Sequence, residues 1–214
     1  FIVIIWSIFI QNLPIPANAY QYIAFLIPIC VYLFINKKEA ERILKPNPLN
    51  LQSIVIIFFT WLCTLPILLL IVNLYIYLFG NTLADIVTQN MDENFMINMF
   101  FTAITPAILE EILMRGIILD GYRNKSRLVA SVTNGLLFGM LHLNSFQFFH
   151  TFALGFIVSY LVMATNSIFA GILLHGINNG LPIILNYLYP LDPNVGYAED
   201  PDFFSLIIYA IIGA

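Results

Sequence analysis

The chain has 214 residues, of which 60% are hydrophobic and only 9% charged, with a formal net charge of −4. Soluble globular domains carry about 25% charged residues, because their surfaces face water. The composition therefore excludes an ordinary soluble domain and a disordered chain, and it gives no support to nucleic-acid binding. The class that remains is an integral membrane protein of one domain, residues 1–214.

Apolar runs separated by polar or proline-containing breaks predict eight membrane segments. These are residues 1–11, 19–35, 51–79, 95–119, 128–143, 147–164, 167–189 and 203–214, of which the first and last are short or truncated. Spanning strands would alternate in polarity over about ten residues, whereas these runs are continuous and mostly longer. We therefore predict an all-α, polytopic membrane protein of about eight transmembrane helices.

Seven of the eight basic residues fall in or beside two short loops, residues 36–50 and 120–127. Lys and Arg are retained on the cytoplasmic side of a membrane. Two predicted segments separate these loops, so both are expected on the cytoplasmic side. The loops at 80–94 and 190–202 contain no Lys or Arg and are expected on the opposite side. Both termini would then be cytoplasmic.

Two cysteines, Cys30 and Cys63, lie in apolar segments and have no metal-binding or redox spacing. A free cysteine in such a setting usually packs as a small hydrophobic residue. We therefore expect two buried thiols and no disulfide framework.

The fourth predicted segment contains adjacent carboxylates, Glu110 and Glu111, in the sequence TPAILEEILMRGI. Ionisable side chains inside a membrane are costly unless they are paired or hydrated. Glu111 and Arg115 are four residues apart and can pair along one helix face, while Glu110 points about 100° away. We expect Glu110 to be a base facing an internal cavity and the Glu111–Arg115 pair to support it. The alternative is that Glu111 and Arg115 form a purely structural ion pair and that Glu110 extends its carboxylate toward the membrane interface.

Two later segments each carry a histidine and a second residue at a spacing of four, which places each pair on one helix face. Phe138 and His142 share a face of the fifth segment, and His175 and Asn179 share a face of the seventh. Helix rise puts Glu110 and both histidines at comparable depths from the cytoplasmic end. The sequence therefore predicts one site near mid-membrane, built from three helices.

Peptide hydrolysis requires a base that activates water, a donor for the developing oxyanion and an acid for the departing amine. Glu110 suits the base and proton carrier, and His142 could share its water. His175 and Asn179 suit the oxyanion. Glu110, His142 and His175 could also hold a zinc ion with one position open for water, although the HExxH spacing is absent.

Three motifs resemble those of a known family. EEILMR at 110–115, FGMLH at 138–142 and HGINN at 175–179 resemble the EExxxR, FxxxH and HxxxN motifs of the CPBP family. This family comprises the CAAX prenyl proteases and bacteriocin-processing enzymes, also called the Abi or Rce1-like intramembrane proteases. Each motif alone is weak, but all three in this order form a strong pattern over about residues 95–190.

The resemblance implies an eight-helix membrane endopeptidase whose cavity opens toward the cytoplasm. By position, it implies that Glu110 is the base that activates water and that His142 is its partner on that water. It implies that His175 and Asn179 stabilise the oxyanion. The supporting residues are then Glu111, Arg115 and Phe138.

The resemblance also implies the partners, namely a peptide or protein substrate at the membrane and the lipid bilayer, with a bacterial plasma membrane as the expected location. The family has been described both as metalloproteases and as metal-free glutamate proteases. We expect no required cofactor, because the zinc-binding spacing is absent and Asn179 is a poor zinc ligand. A zinc ion on Glu110, His142 and His175 is the alternative.

Two other functions are weighed against proteolysis. A bacteriocin-immunity or peptide-binding protein would keep the fold without cutting, but it has no need for Glu110 and His142 at membrane depth. A proton-linked transporter would also carry intramembrane ionisable groups. No inverted repeat is evident, however, and those groups all lie in the second half of the chain. The intact motifs favour a protease.

Overall fold

The computed structural model describes Trp6 and residues 8–10, 13–14, 22–79 and 94–188, and the regular secondary structure of these residues is entirely helical. In chain order the helices are α1 (Tyr22–Ile35, which begins with a π-helical turn), α2 (Ala40–Leu44), α3 (Leu51–Phe79), α4 (Phe95–Ile118), α5 (Arg127–Leu141), α6 (Ser145–Thr165) and α7 (Ile168–Leu188). The predicted all-α class is confirmed.

Four of these helices, α3, α4, α6 and α7, are long and apolar enough to cross a membrane. The apolar helices α1 and α5 coincide with predicted segments but have fewer than the roughly 20 residues that a straight span requires. Most of the first predicted segment, all of the last, and the loops at 80–93 and 190–202 fall outside the described residues. The protein is an integral membrane protein, while the count of eight spans stays a prediction.

Polar caps set the start of α5 and both ends of α6. The Ser126 hydroxyl accepts a hydrogen bond from the Val129 amide at the start of α5, and the Asn144 side chain accepts one from Phe146 at the start of α6. Such caps satisfy amides that have no partner within the helix. Asn166 ends α6 in the left-handed conformation, with φ 49°. Short connections therefore make α5, α6 and α7 successive neighbours.

Glycines bring the backbones of α5 and α6 into direct contact. A Cβ on Gly135 would lie 2.8 Å from the carbonyl oxygen of Phe152 and 2.9 Å from the amide nitrogen of Phe156. A Cβ on Gly155 would lie 3.0 Å from the Cα of Gly135. Small residues at such positions are what permits close helix packing within a membrane.

The outer surface of the bundle is apolar. Large hydrophobic side chains along α3 are exposed, among them Phe58, Phe59, Leu62, Ile67 and Leu69. The thiols of Cys30 and Cys63 are exposed as well, so the expectation that they are buried was wrong. A surface that faces lipid is as apolar as the interior, and the hydrophobicity of a segment therefore does not reveal which face a cysteine occupies.

The two basic loops meet at one end of the bundle, as the sequence predicts. Arg42 on α2 forms an ion pair with Asp120, just after α4, and the carbonyl oxygen of Lys45 accepts a hydrogen bond from the Ile168 amide. The Lys45 ammonium also lies 3.3 Å from the carbonyl oxygen of Arg115. Burial lowers the pKa of Lys45, and the nearby Asp120 carboxylate opposes that shift. Which side of the membrane this end faces stays a prediction.

Candidate active site

The three motifs meet around the buried ring of Phe138 on α5. The guanidinium carbon of Arg115 lies 4.5 Å from the centroid of that ring. The imidazoles of His142 and His175 contact it nearly at right angles, with centroid distances of 4.9 and 5.7 Å. Side chains from α4, α5 and α7 therefore share one aromatic neighbour.

Glu111 and Arg115 form the ion pair that their spacing predicts, and both side chains are 0% exposed. Arg115 Nη1 donates to Glu111 Oε1 at 2.8 Å, and Nη2 donates to the carbonyl oxygen of Gly155 on α6 at 3.1 Å. Arg115 lies in a π-helical turn, Ile112–Ile118, and turns of this kind are frequent at functional sites. Buried charges require such pairing, because an isolated ion in apolar surroundings is strongly destabilised.

Glu111 also contacts the third motif, which the sequence did not predict. Its Oε1 lies 2.9 Å from Nδ1 of His175, whose side chain is only 3% exposed. Its other oxygen, Oε2, lies against Gly171, where an added Cβ would come within 2.4 Å. One carboxylate therefore links α4 to two positions of α7, one helical turn apart.

Glu110 differs sharply from its neighbour. It is half-buried, its Oε2 is buried, and within the described part of the chain that oxygen has no hydrogen-bond partner. A buried carboxylate oxygen without a partner is costly, so it calls for a bound water or a substrate group. Glu111 Oε2 also has no partner among the described residues, but that side chain is fully buried and its Oε1 contacts Arg115 and His175. Glu110 is half-buried and unpaired, and it is therefore the carboxylate that is available for chemistry.

His142 follows the last residue of α5 and is half-buried. Its Nδ1 lies 2.9 Å from the carbonyl oxygen of Phe138. A carbonyl only accepts hydrogen bonds, so this contact places the proton on Nδ1 and leaves Nε2 as an acceptor in the neutral ring. The next residue, Leu143, turns the chain toward α6 in the left-handed conformation, with φ 52°.

Asn179 lies one helical turn beyond His175 on α7 and is half-buried. Its side-chain nitrogen donates to the carbonyl oxygen of Thr102 at a long 3.4 Å, and its oxygen accepts from Asn178 at 3.3 Å. Each amide nitrogen has two hydrogens, so one remains for a further acceptor. Among the described residues, no hydrogen bond joins Asn179 to Glu110 or His142.

A polar network behind Arg115 was missed by the sequence analysis. The Asn134 side chain donates to the carbonyl oxygen of Met114 at 2.8 Å. The Ser159 hydroxyl lies 2.8 Å from the Asn134 side-chain oxygen and 2.7 Å from the carbonyl oxygen of Gly155. Asn134 and Ser159 are polar residues within apolar segments, and this marks them as unusual in the sequence. Their spacing, however, does not predict that they contact each other between α5 and α6.

An apolar groove of about 450 Å³ lies beside the site, between α4 and α7. Its lining includes Ala107 on α4 and Gly176 and Gly180 on α7. Gly176 directly follows His175, so the groove passes close to the third motif.

Within the residues that the structure describes, no three His, Cys, Asp or Glu side chains are grouped so that they could hold a metal ion. The zinc set of Glu110, His142 and His175 stays the alternative to a mechanism without a required cofactor.

Comparison with known proteins finds a family that is similar to the part of the chain that carries this site. Residues 92–181 match the family described as type II CAAX prenyl endopeptidase Rce1-like. The match includes all three motifs and confirms the resemblance to the CPBP enzymes. No curated protein and no solved structure matches the chain.

Proposed function

We propose that this protein is an intramembrane endopeptidase that hydrolyses a peptide bond in a membrane-associated protein or peptide, using a water activated by Glu110. The observation that carries the proposal is the contrast between adjacent carboxylates. Both carboxylates have a buried Oε2 without a partner among the described residues. Glu111, however, is fully buried and its Oε1 contacts Arg115 and His175. Glu110 is half-buried, and its side chain has no ion pair or hydrogen bond in the described part of the chain. The match of residues 92–181 to the Rce1-like family supports an endopeptidase.

In this mechanism Glu110 accepts a proton from water while the water oxygen bonds to the carbonyl carbon of the substrate. His142 Nε2 accepts a hydrogen bond from the second hydrogen of the water, which stays on the oxygen, and so orients the attacking lone pair of the water. Glu110 then returns its proton to the substrate nitrogen as the carbon–nitrogen bond breaks. The products are a carboxylic acid and an amine, and the base is regenerated.

The negative charge that develops on the substrate oxygen requires a hydrogen-bond donor. The Asn179 amide is a neutral donor whose bond to the Thr102 carbonyl oxygen is long enough, at 3.4 Å, to be exchanged for a stronger one. His175 is the second residue that the motif resemblance assigns to this role.

The family description makes a CAAX-type tail the first substrate class to test, with a bacteriocin-like or signal-like peptide as the other. The apolar groove between α4 and α7 suits a substrate segment with apolar or lipid character. A substrate of this kind reaches the site from the membrane.

The test uses purified protein in liposomes and a farnesylated CAAX-type peptide with a fluorophore and quencher on opposite sides of the scissile bond. Wild type is expected to cleave it, and Glu110→Gln to reduce kcat at least about 100-fold, since general base catalysis contributes about that much or more. The matched control is Glu41→Gln, which neutralises an exposed carboxylate on α2 and should cleave normally.

Equal cleavage by wild type and Glu110→Gln would overturn the role of Glu110. Binding of the peptide without cleavage, by wild type and Glu110→Gln alike, would favour the immunity or peptide-binding alternative. Unfolding of Glu110→Gln, but not of Glu41→Gln, would return Glu110 to a structural role.

A further inference from the structure

We infer that Glu111 is a positioning residue for His175, and that its carboxylate accepts the hydrogen of Nδ1 and so fixes the direction in which Nε2 points. This inference deepens the proposed function and rests on it.

The first step of the argument is the shared oxygen. Glu111 Oε1 contacts both Arg115 Nη1, at 2.8 Å, and His175 Nδ1, at 2.9 Å. A carboxylate paired with arginine is ionised and can only accept hydrogen bonds. The atom facing it must therefore carry the hydrogen, which places the proton of His175 on Nδ1.

The second step is the charge balance. Glu111 and Arg115 cancel each other's charge, and both are fully buried. The arginine therefore keeps the Glu111 carboxylate ionised, and an ionised carboxylate oxygen can accept the hydrogen of His175 Nδ1.

The third step is the fit of the carboxylate against α7. Gly171 and His175 are four residues apart and share a face of that helix. A Cβ on Gly171 would lie 2.4 Å from Glu111 Oε2 and 3.1 Å from Cδ of the same side chain. Because Arg115 and His175 hold the other oxygen, the carboxylate has little freedom to move aside. Gly171 therefore supplies the space that sets the Glu111–His175 distance.

The same arrangement recurs at His142, where the Phe138 carbonyl oxygen accepts the hydrogen of Nδ1. In both motif histidines a fixed acceptor at Nδ1 therefore sets the orientation of the ring and of its Nε2.

The direct test is a ¹⁵N NMR spectrum of histidine-labelled, full-length protein in lipid nanodiscs at neutral pH. The His175 signals are identified by their loss in His175→Gln. We expect a protonated Nδ1 in wild type. A bare Nδ1 would overturn the inference, whether or not the protein cleaves any peptide.

Two variants extend the test. Glu111→Gln and Gly171→Ala are both expected to give a mixture of His175 tautomers and to lower kcat at least about tenfold with KM little changed, because a wrongly oriented imidazole costs rate and not binding. Gly116→Ala on α4 is the matched control, since its added Cβ would lie 3.6 Å from the nearest atoms of Ile43 and Leu44 and the residue does not line the groove. It should retain the wild-type spectrum and rate.

The two proposals can fail separately. Folded Glu111→Gln with a wild-type His175 spectrum would contradict the positioning role, even if Glu110→Gln is inactive. The expected wild-type spectrum in a protein that cleaves nothing would keep the positioning by Glu111 and refute the protease.

Discussion

At the scale of single residues, one step along α4 separates a structural carboxylate from the proposed catalytic one. Successive helical residues point about 100° apart, so Glu110 and Glu111 face different surroundings. Glu111 lies between Arg115 and His175. Arg115 balances its charge, and both residues contact its Oε1. Glu110 keeps a buried oxygen with no protein partner in the described part of the chain.

Arg115→Ala is expected to reduce stability first and activity only as a consequence. It removes the cation beside Glu111, the donor to the Gly155 carbonyl oxygen and the group packed on Phe138. Removing one member of a buried ion pair costs about 3–5 kcal/mol. The measurement is thermal unfolding in detergent. Arg127→Ala, which removes an exposed arginine at the start of α5, is the control and should unfold like wild type.

An Arg115→Ala protein that unfolds at the wild-type temperature but has no activity would contradict this assignment. Arg115 would then act on the reaction and not on the fold.

The residue-level predictions from sequence succeeded where the contact is local. The Glu111–Arg115 pair lies within one helical turn, and its spacing alone predicts it. The Glu111–His175 contact joins positions 64 residues apart, and it depends on how α4 meets α7. The space left by Gly171 depends on the same packing, and therefore no spacing rule could predict it.

At the scale of helices, the sequence predicts existence and length well, because an apolar run and its polar caps are both local. The predicted segment 128–143 is the helix Arg127–Leu141, and 147–164 is Ser145–Thr165. What the sequence does not predict is which face packs inward. Cys63 on α3 is an example, because its neighbours in the sequence are apolar and yet its side chain is exposed.

Gly135→Ala is expected to destabilise the contact between α5 and α6. Its Cβ would meet backbone atoms of Phe152 and Phe156 at 2.8 and 2.9 Å, and backbone cannot rotate away as a side chain can. Overpacking of this kind costs roughly 1–3 kcal/mol. Chemical or thermal unfolding in detergent measures the loss of stability. Gly180→Ala is the control for this measurement.

Gly180→Ala adds the same methyl group where the nearest atom is 3.6 Å away, so stability should be unchanged or slightly higher. Equal unfolding of the two alanine variants would mean that the α5–α6 contact is not as close as described.

At the scale of the whole molecule, the ion pair between Arg42 and Asp120 brings together two loops that are far apart in sequence. The positive-inside rule predicts that both are cytoplasmic. These loops connect helices that carry the proposed site. The orientation of the protein in the membrane therefore decides from which compartment a peptide tail can enter.

Sided labelling tests this orientation. Cys30 and Cys63 are first replaced by serine, and one new cysteine is introduced by Lys125→Cys, at an exposed position in the loop after α4. A membrane-impermeant maleimide should label it only after the cells are permeabilised. Thr88→Cys, in the loop expected on the opposite side, should react in intact cells. The reverse pattern would invert the topology.

The most direct measurement of the central claim is a mass-spectrometric survey of new peptide termini. Membranes and medium are compared between cells that make the wild-type protein and cells that make Glu110→Gln at equal, folded abundance. The account predicts termini that appear only with wild type, in peptides from membrane-associated proteins. Identical termini in the two samples, from a host that carries the protein's natural partners, would contradict hydrolysis by Glu110.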